Sequence, residues 1–287
     1  MLVSLNGVKT PPDEARISVF DRGFLFGDAI YEVVATHGGR LYRLRAHLDR
    51  LEESGRAVGL DVAALRGDLE REIKELVAEG RREGDEVYVR IMITRGETQD
   101  FDLAGDGGEP LRVVMVKRLA PWPARFYAEG VKLMTVSPDE IVARIAPSVK
   151  SNNRQANVMA HRFARREGAD DALFVDPEGN VTEGPSWNMF GARAGRLWTP
   201  PLAGGILPGI TRSSVLSICR EAGIPLDERE VSKDEALASD EWFITSTTRG
   251  VMPVGELDGR RPPHGSPGPL TQRVQEAWEQ LADAGEA

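Results

Sequence analysis

The 287-residue sequence contains one cysteine, Cys219. A single thiol excludes an internal disulfide framework and fits a reducing, cytoplasmic compartment. Cys219 lies at apolar helical spacing in "TRSSVLSICREAG" and reads as a small core residue. Histidine is also sparse. His37, His47, His161 and His264 are scattered, and without a second cysteine they offer no zinc spacing, so no metal site is expected. No uninterrupted apolar run is long enough to span a bilayer. "MLVSLNGVKT" has no basic stretch leading into an apolar one, so neither a membrane span nor a secretory leader is expected. Positive charge is in deficit, with 36 Lys and Arg against 45 Asp and Glu and a net charge of −9. No basic stripe is present, which excludes nucleic acid as an expected partner. There is no internal repeat and no low-complexity segment.

What remains is the composition of an ordinary soluble globular chain, 41% hydrophobic and 28% charged, long enough for about two domains. "LVSLNGVKT" reads as strand, turn, strand. "DAIYEVVATHGGRLYRLRAHLDRLEESGRAVGL" holds a hairpin with a Gly-Gly turn, then a helix over about 46–58. "VAALRGDLEREIKELVAEG" has helical apolar spacing, and "EVYVRIMITRG" and "LRVVMVKRL" read as strands joined by the acidic, Gly-rich "ETQDFDLAGDGGEP". Two prolines around Trp122 predict a stiff, extended boundary. Beyond it come the strand "GVKLMTVSP" and a helix from about Lys150 to Gly168. A set of short strands follows through "DPEG". A Gly/Pro loop then enters a helix at "GITRSS", two strands flank "TSTTRG", and a closing amphipathic helix ends in a frayed "ADAGEA". Strands and helices segregate in each part, so the expected class is α+β with two domains. The small α/β domain covers 1–120, a linker 121–126, and the larger domain 127–287.

The candidate chemistry starts at Lys150. In "SVKSNNRQANVMAHRFARREGADDA" it is followed by Arg154, His161, Arg162, Arg165 and Arg166. An amine near helix N–H groups and other cations is disfavoured in its charged form, which lowers its pKa as a Schiff-base lysine requires. The stretch alone favours a solvent-facing lysine at a helix N-terminus. Glu183, in "NVTEGPSWNMF", is either a turn residue or a buried anion facing a cationic ring nitrogen, the partner a lysine has in pyridoxal phosphate chemistry. Phosphate needs backbone N–H groups with hydroxyls or arginine. "GITRSS" with Thr211, "TSTTRG" with Thr247 and Thr248, and Arg50 in "HLDRL" are candidates, each also readable as a cap, turn or exposed helix residue.

Taken in order, "SVFDRGFLFGDAIYEVV", "HLDRL", "YVRIMITRG", "VKSNNRQANVMA", "VTEGPSWNMF", "GITR" and "TSTTRGVMPV" resemble the class IV, fold-type IV pyridoxal-phosphate aminotransferases over nearly the whole chain. That group includes branched-chain aminotransferases, D-amino-acid aminotransferases and aminodeoxychorismate lyases. The resemblance implies that Lys150 carries pyridoxal 5'-phosphate as an internal aldimine and shuttles the α-proton, and that Glu183 keeps the pyridine nitrogen protonated. It implies a phosphate cup of Arg50, the backbone of Ile210 with Thr211, and Thr247, and a turn at Thr248 and Arg249 facing the substrate carboxylate. The implied fold has a small α/β domain and a larger domain with a β-barrel-like core. The site lies between them and is completed by a second subunit, so a homodimer is expected. Gln155 stands where branched-chain members often place a tyrosine beside the ring hydroxyl. Asn153 and Arg154 resemble instead the lyase-like and some D-amino-acid members.

For the substrate, Tyr88 and Arg90 alternate onto one strand face. In the branched-chain pattern they line the pocket, and the arginine holds the distal carboxylate of glutamate or 2-oxoglutarate. "ETQDFD" lacks the Arg and His that trap the α-carboxylate in D-amino-acid members; Arg249 is the substitute candidate. Phe26 and Tyr31 are pocket aromatics. The expectation is a transaminase acting between an amino acid, branched-chain-like or glutamate, and a 2-oxo acid. The alternatives are a D-amino-acid or (R)-amine transaminase, then an aminodeoxychorismate lyase, and from another class a silent regulator that only binds the cofactor.

Overall fold

Asn6 and Gly7, both at positive φ (50° and 85°), close the first hairpin between β1 (Leu2–Leu5) and β2 (Val8–Thr10). This is the backbone that a two-residue loop needs to match strand twist. Gly38 and Gly39 repeat the device between β3 (Ala29–His37) and β4 (Arg40–Leu41). The computed structural model describes residues 1–98, 101, 103–105, 107–137 and 149–285. Gln99, Asp100 and Asp102 of "ETQDFD", Asp106 of the same loop, Pro138 of the expected strand "GVKLMTVSP" and the last two residues of the expected frayed tail lie outside them.

The described residues fall into two units. The first comprises Met1–Ala120 and also takes in Val149–Asn153. Its six-stranded antiparallel sheet has the order β2-β1-β6-β5-β3-β4, with β5 at Val87–Thr94 and β6 at Arg112–Arg118. One face is covered by α2 (Leu44–Ala57) and α3 (Arg66–Gly80). Leu44, Leu48 and Leu51 on α2, and Leu69, Ile73, Leu76 and Val77 on α3, recur at helical spacing and pack on Val87, Val89, Ile91 and Ile93 of β5. The period of two along β5 puts Tyr88, Arg90 and Met92 on the opposite face. A short α1 (Arg22–Phe26) is capped by Asp21.

The second unit comprises the described residues of Pro121–Ser148 and Arg154–Ala284. Its sheet contains β7 (Val131–Val136), β8 (Asp171–Phe174), β9 (Glu183–Gly184), β10 (Trp187–Arg193), β11 (Arg196–Thr199), β12 (Leu226–Glu228), β13 (Glu241–Ser246) and β14 (Gly250–Leu257). The order is β12-β11-β10-β13-β14-β7-β8, with β9 paired to β10 off that path, and the sheet curls into a half-barrel. Around it lie α4 (Ala124–Ala128), α5 (Gln155–Arg166), α6 (Ile210–Glu221), α7 (Lys233–Leu237) and α8 (Pro269–Ala284). The mixed α+β class matches the expectation. Three local features differ. The extended boundary ends at Pro123, because α4 starts at Ala124 and anchors Phe126 in the core. The tail is helical through Ala284, with Ala282 buried. The third concerns Lys150.

Candidate active site

Lys150 is not at a helix terminus. α5 starts five residues later, at Gln155, and the intervening chain is extended. The Tyr31 amide donates to the Lys150 carbonyl (2.9 Å) and the Asn152 amide to the Ala29 carbonyl (2.8 Å), with a bridge between Ile30 and Ser151. The Lys150 amide donates to Ser54 Oγ (3.4 Å), so around Lys150 the backbone bonds to β3 and α2 rather than into a helix of its own, and the helix-dipole argument for a depressed amine pKa does not apply. The half-buried Lys150 Nζ lies 4.5 Å from the centroid of the Tyr31 ring. The Arg90 guanidinium lies over the same ring at 4.2 Å. Strand register explains this: Tyr31 pairs with Met92 and Val33 with Arg90, so Tyr31 and Arg90 are diagonal neighbours on one sheet face. Arg90 donates from Nη2 to Asn152 Oδ1 (3.2 Å) and has no ion pair among the described residues. Tyr88, two residues along, stacks under Lys117 (5.1 Å). Phe26, half-buried, ends α1 beneath Arg22.

Behind Tyr31 lies a cluster that sequence reasoning missed. Glu32 is fully buried and bound by Arg50 through Nε (2.6 Å) and Nη2 (2.9 Å), and by His47 Nδ1 (2.8 Å). Arg50 is therefore not an exposed helix residue. The available signal was a carboxylate inside the apolar run "AIYEVVA", with His47 and Arg50 three apart on one helix face. Burial acts to raise the Glu32 pKa, but Arg50 and His47 outweigh it and hold the carboxyl well below the usual range. Burial lowers the pKa of His47, whose Nε2 is buried with no hydrogen-bond partner among the described residues. Both folded-state pKa values lie below the unfolded ones, so both contributions to stability are present at neutral pH and are lost on acidification. The His47 share fades below about pH 6.5 and the Glu32 share below about pH 4.3. His161, whose pKa is raised by its bond to Asp171, acts in the opposite sense. The readout is therefore a difference. Denaturant stability should fall less between pH 6.5 and 5 in His47→Gln than in wild type; equal slopes would place the acid sensitivity elsewhere.

In the second unit, Glu183 opens β9, where its Cα partner on β10 is Asn188. Its Oε2 accepts from Asn188 Nδ2 (3.2 Å) and from the Leu207 amide (3.0 Å). Gly209 is the N-cap of α6 and supplies no side chain there, and Ile210 and Thr211 form the first turn. Thr211 Oγ1 is buried without a hydrogen-bond partner among the described residues, as is Thr245 Oγ1 on β13. Gln155 sits exposed at the head of α5. Thr247, Thr248 and Arg249 form the turn between β13 and β14. Trp122 Nε1 donates to the Thr248 carbonyl (2.9 Å) and the Tyr127 hydroxyl to the Arg249 carbonyl (3.1 Å). The Arg249 side chain is already committed. It stacks 4.4 Å from Trp122, donates to Ser186 Oγ (2.9 Å) and pairs with buried Asp171 (3.3 Å). Asp171 also accepts from Trp187 Nε1 (2.8 Å) and contacts His161 Nδ1 (2.9 Å). Arg249 is thus a poorer candidate for an open carboxylate trap than Arg90.

The amino-transferase class IV family profile matches residues 29–257, the span from Tyr31 through Lys150 and Glu183 to Arg249. The chain belongs to the class IV aminotransferases. Among its relatives, the D-alanine aminotransferase of Bacillus licheniformis is 36% identical over 279 residues, covering 97% of this chain and 96% of that protein. The putative branched-chain-amino-acid aminotransferase of Methanocaldococcus jannaschii is 32% identical over 284 residues, covering 98% and 96%. The crystal structure of the branched-chain aminotransferase from Thermoproteus uzoniensis with norvaline superposes with a TM-score of 0.89 at 29% identity, covering 100% and 96%. This class IV aminotransferase therefore has the fold-type IV architecture and is a transaminase. Its relatives bear the names of both of the substrate classes that the sequence left in competition.

Proposed function

We propose that this aminotransferase uses pyridoxal 5'-phosphate to move an amino group between an amino acid, branched-chain-like or glutamate, and a 2-oxo acid. The observation that carries the reading lies in the second unit. A carboxylate held by two N–H donors, Glu183, shares its Asn188 partner with the loop that opens α6, and the Thr211 hydroxyl there is buried with no partner among the described residues. An acid for a ring nitrogen and a helix start for a phosphate suit the two ends of this cofactor. When bound, the cofactor supplies an electron sink for charge left at the substrate α-carbon.

In this reading Lys150 Nζ anchors the cofactor and carries the α-proton, and Glu183 keeps the ring nitrogen protonated. Arg50, the Ile210 amide with Thr211, and Thr247 hold the phosphate, and Gln155 serves the ring hydroxyl. The backbone of Thr248 and Arg249 receives the α-carboxylate. Phe26, Tyr31 and Tyr88 shape the pocket. The domain division at 1–120, 121–126 and 127–287 is part of the reading, with Lys150 grouped among residues of the first unit. Homodimerisation is supported by Ile17, Val19, Phe20 and Phe24, large apolar residues exposed along one stretch. A cytoplasmic site of action is supported by the lone, buried cysteine.

Arg90 decides among substrates. A half-buried guanidinium with one side-chain hydrogen bond and no carboxylate partner among the described residues suits the distal carboxylate of glutamate or 2-oxoglutarate. Arg90→Ala should reduce turnover with glutamate by about 2–5 kcal/mol in transition-state terms. Half-reactions with leucine should change little. Equal losses for both would assign Arg90 to the fold or to the α-carboxylate. The 36% identity to a D-alanine aminotransferase favours a D-amino-acid or (R)-amine transaminase as the second reading. An aminodeoxychorismate lyase stands third. A panel of L-, D- and prochiral amine donors, followed by cofactor absorbance in single turnovers, separates them. Activity with D-alanine and none with L-glutamate would overturn the branched-chain reading.

A further inference from the structure

We propose that Asn188 is a positioning residue that locks Glu183 and the start of α6 at one fixed spacing, so that a single amide sets where both ends of the cofactor are gripped. This rests on the reading that Glu183 serves the ring nitrogen and Thr211 the phosphate. Asn188 is buried on β10, with Glu183 of β9 and Thr245 of β13 as its Cα partners, so the three side chains form a row across neighbouring strands. Its Nδ2 carries two protons, and both are used: one goes to Glu183 Oε2 (3.2 Å) and one to the Leu207 carbonyl (3.0 Å). The Leu207 amide returns a bond to the same Glu183 oxygen (3.0 Å), closing a ring of three groups. The other end of the amide faces the N-cap of α6. A Cβ built on Gly209 would lie 2.0 Å from Asn188 Oδ1, so the cap is glycine where it meets this side chain. Two residues further on is the orphaned Thr211 hydroxyl.

Aspartate has the shape but lacks the donor, and it sets a second carboxylate against Glu183. Alanine leaves Glu183 with only the Leu207 amide of these two donors, and leaves the loop free to shift against β10. The carboxylate would remain, but its direction would not be fixed.

The test uses the full-length apoprotein and two probes, pyridoxal 5'-phosphate and its analogue with carbon in place of the ring nitrogen. Equilibrium affinities are measured for wild type, Asn188→Ala and Asn188→Asp, with thermal stability recorded for each. Wild type should prefer the natural cofactor, because the analogue offers Glu183 nothing to hold. In both variants that preference should shrink by about 10–100-fold, the value of one charge-assisted hydrogen bond, with little change in affinity for the analogue beyond the looser phosphate grip. A purely structural asparagine would lower the melting temperature and leave the preference intact; that outcome overturns the proposal. Gly209→Ala, which drives Oδ1 aside without altering Asn188, gives the same comparison if the Asn188 variants do not fold. If wild type itself shows no preference, the assignment of Glu183 fails and the proposal falls with it. A wild-type preference that the variants retain defeats the proposal alone.

Discussion

Replacing Lys150 by alanine is expected to leave a protein that holds pyridoxal 5'-phosphate only non-covalently and turns over more than about 10⁴-fold more slowly, because in the proposed function one amine supplies both the covalent anchor and the proton carrier. The Lys150 carbonyl accepts from the Tyr31 amide, the Asn152 amide donates to the Ala29 carbonyl, and the Lys150 amide donates to Ser54 Oγ (3.4 Å), so the amine projects from a fixed base beside the Tyr31 ring. Borohydride reduction followed by peptide mapping checks the anchor, and dialysis with visible absorbance checks retention. A reducible adduct on another lysine in the variant would displace Lys150 from the role. The rivals are poorly placed: Lys117 is exposed near the end of β6 against Tyr88, and Lys132 is paired with Glu256 at 3.5 Å. Since Lys150 is half-buried and its backbone makes the strand-like contacts, the fold should survive the change.

Glu183→Gln is expected to retain the cofactor at saturating concentration and to slow α-proton removal by at least about 10²–10³-fold, the scale of losing one preorganised electrostatic partner. A neutral amide does not hold a proton on the ring nitrogen. Its carbonyl oxygen still accepts from Asn188 Nδ2 and the Leu207 amide, which both reach the one oxygen Oε2, so the change removes the charge and keeps these bonds. Single turnovers with an α-deuterated donor isolate this step: the isotope effect should persist or grow as the rate falls. A variant with near wild-type rates would remove Glu183 from the chemistry.

Much of the architecture could be read from local pattern. The Asn-Gly and Gly-Gly turns, the alternation that puts Tyr88 and Arg90 on one face, and the apolar spacing of α3 all depend on residues close in sequence. The seven ordered blocks brought the family with them. The misreading at Lys150 has a tertiary cause. Residues 149–153 look like a helix start because helix-forming residues follow, but Lys150 and Asn152 bond to Tyr31, Ser54 and Ala29, far back in the chain. The Glu32 cluster was hidden for the same reason, since its binding partners lie 15 and 18 residues away on another element. Arg249 looked open in sequence because Asp171, which neutralises it, is 78 residues distant.

Cys219 has a practical use. Buried on α6, its thiol is pushed up to about 11 by burial, so at neutral pH the folded chain presents almost no thiolate. The chain has no second thiol to compete for a reagent. Each chain that becomes labelled has therefore opened around this helix, and the slow uptake of a thiol reagent measures the opening of the second unit in time, independently of colour or turnover.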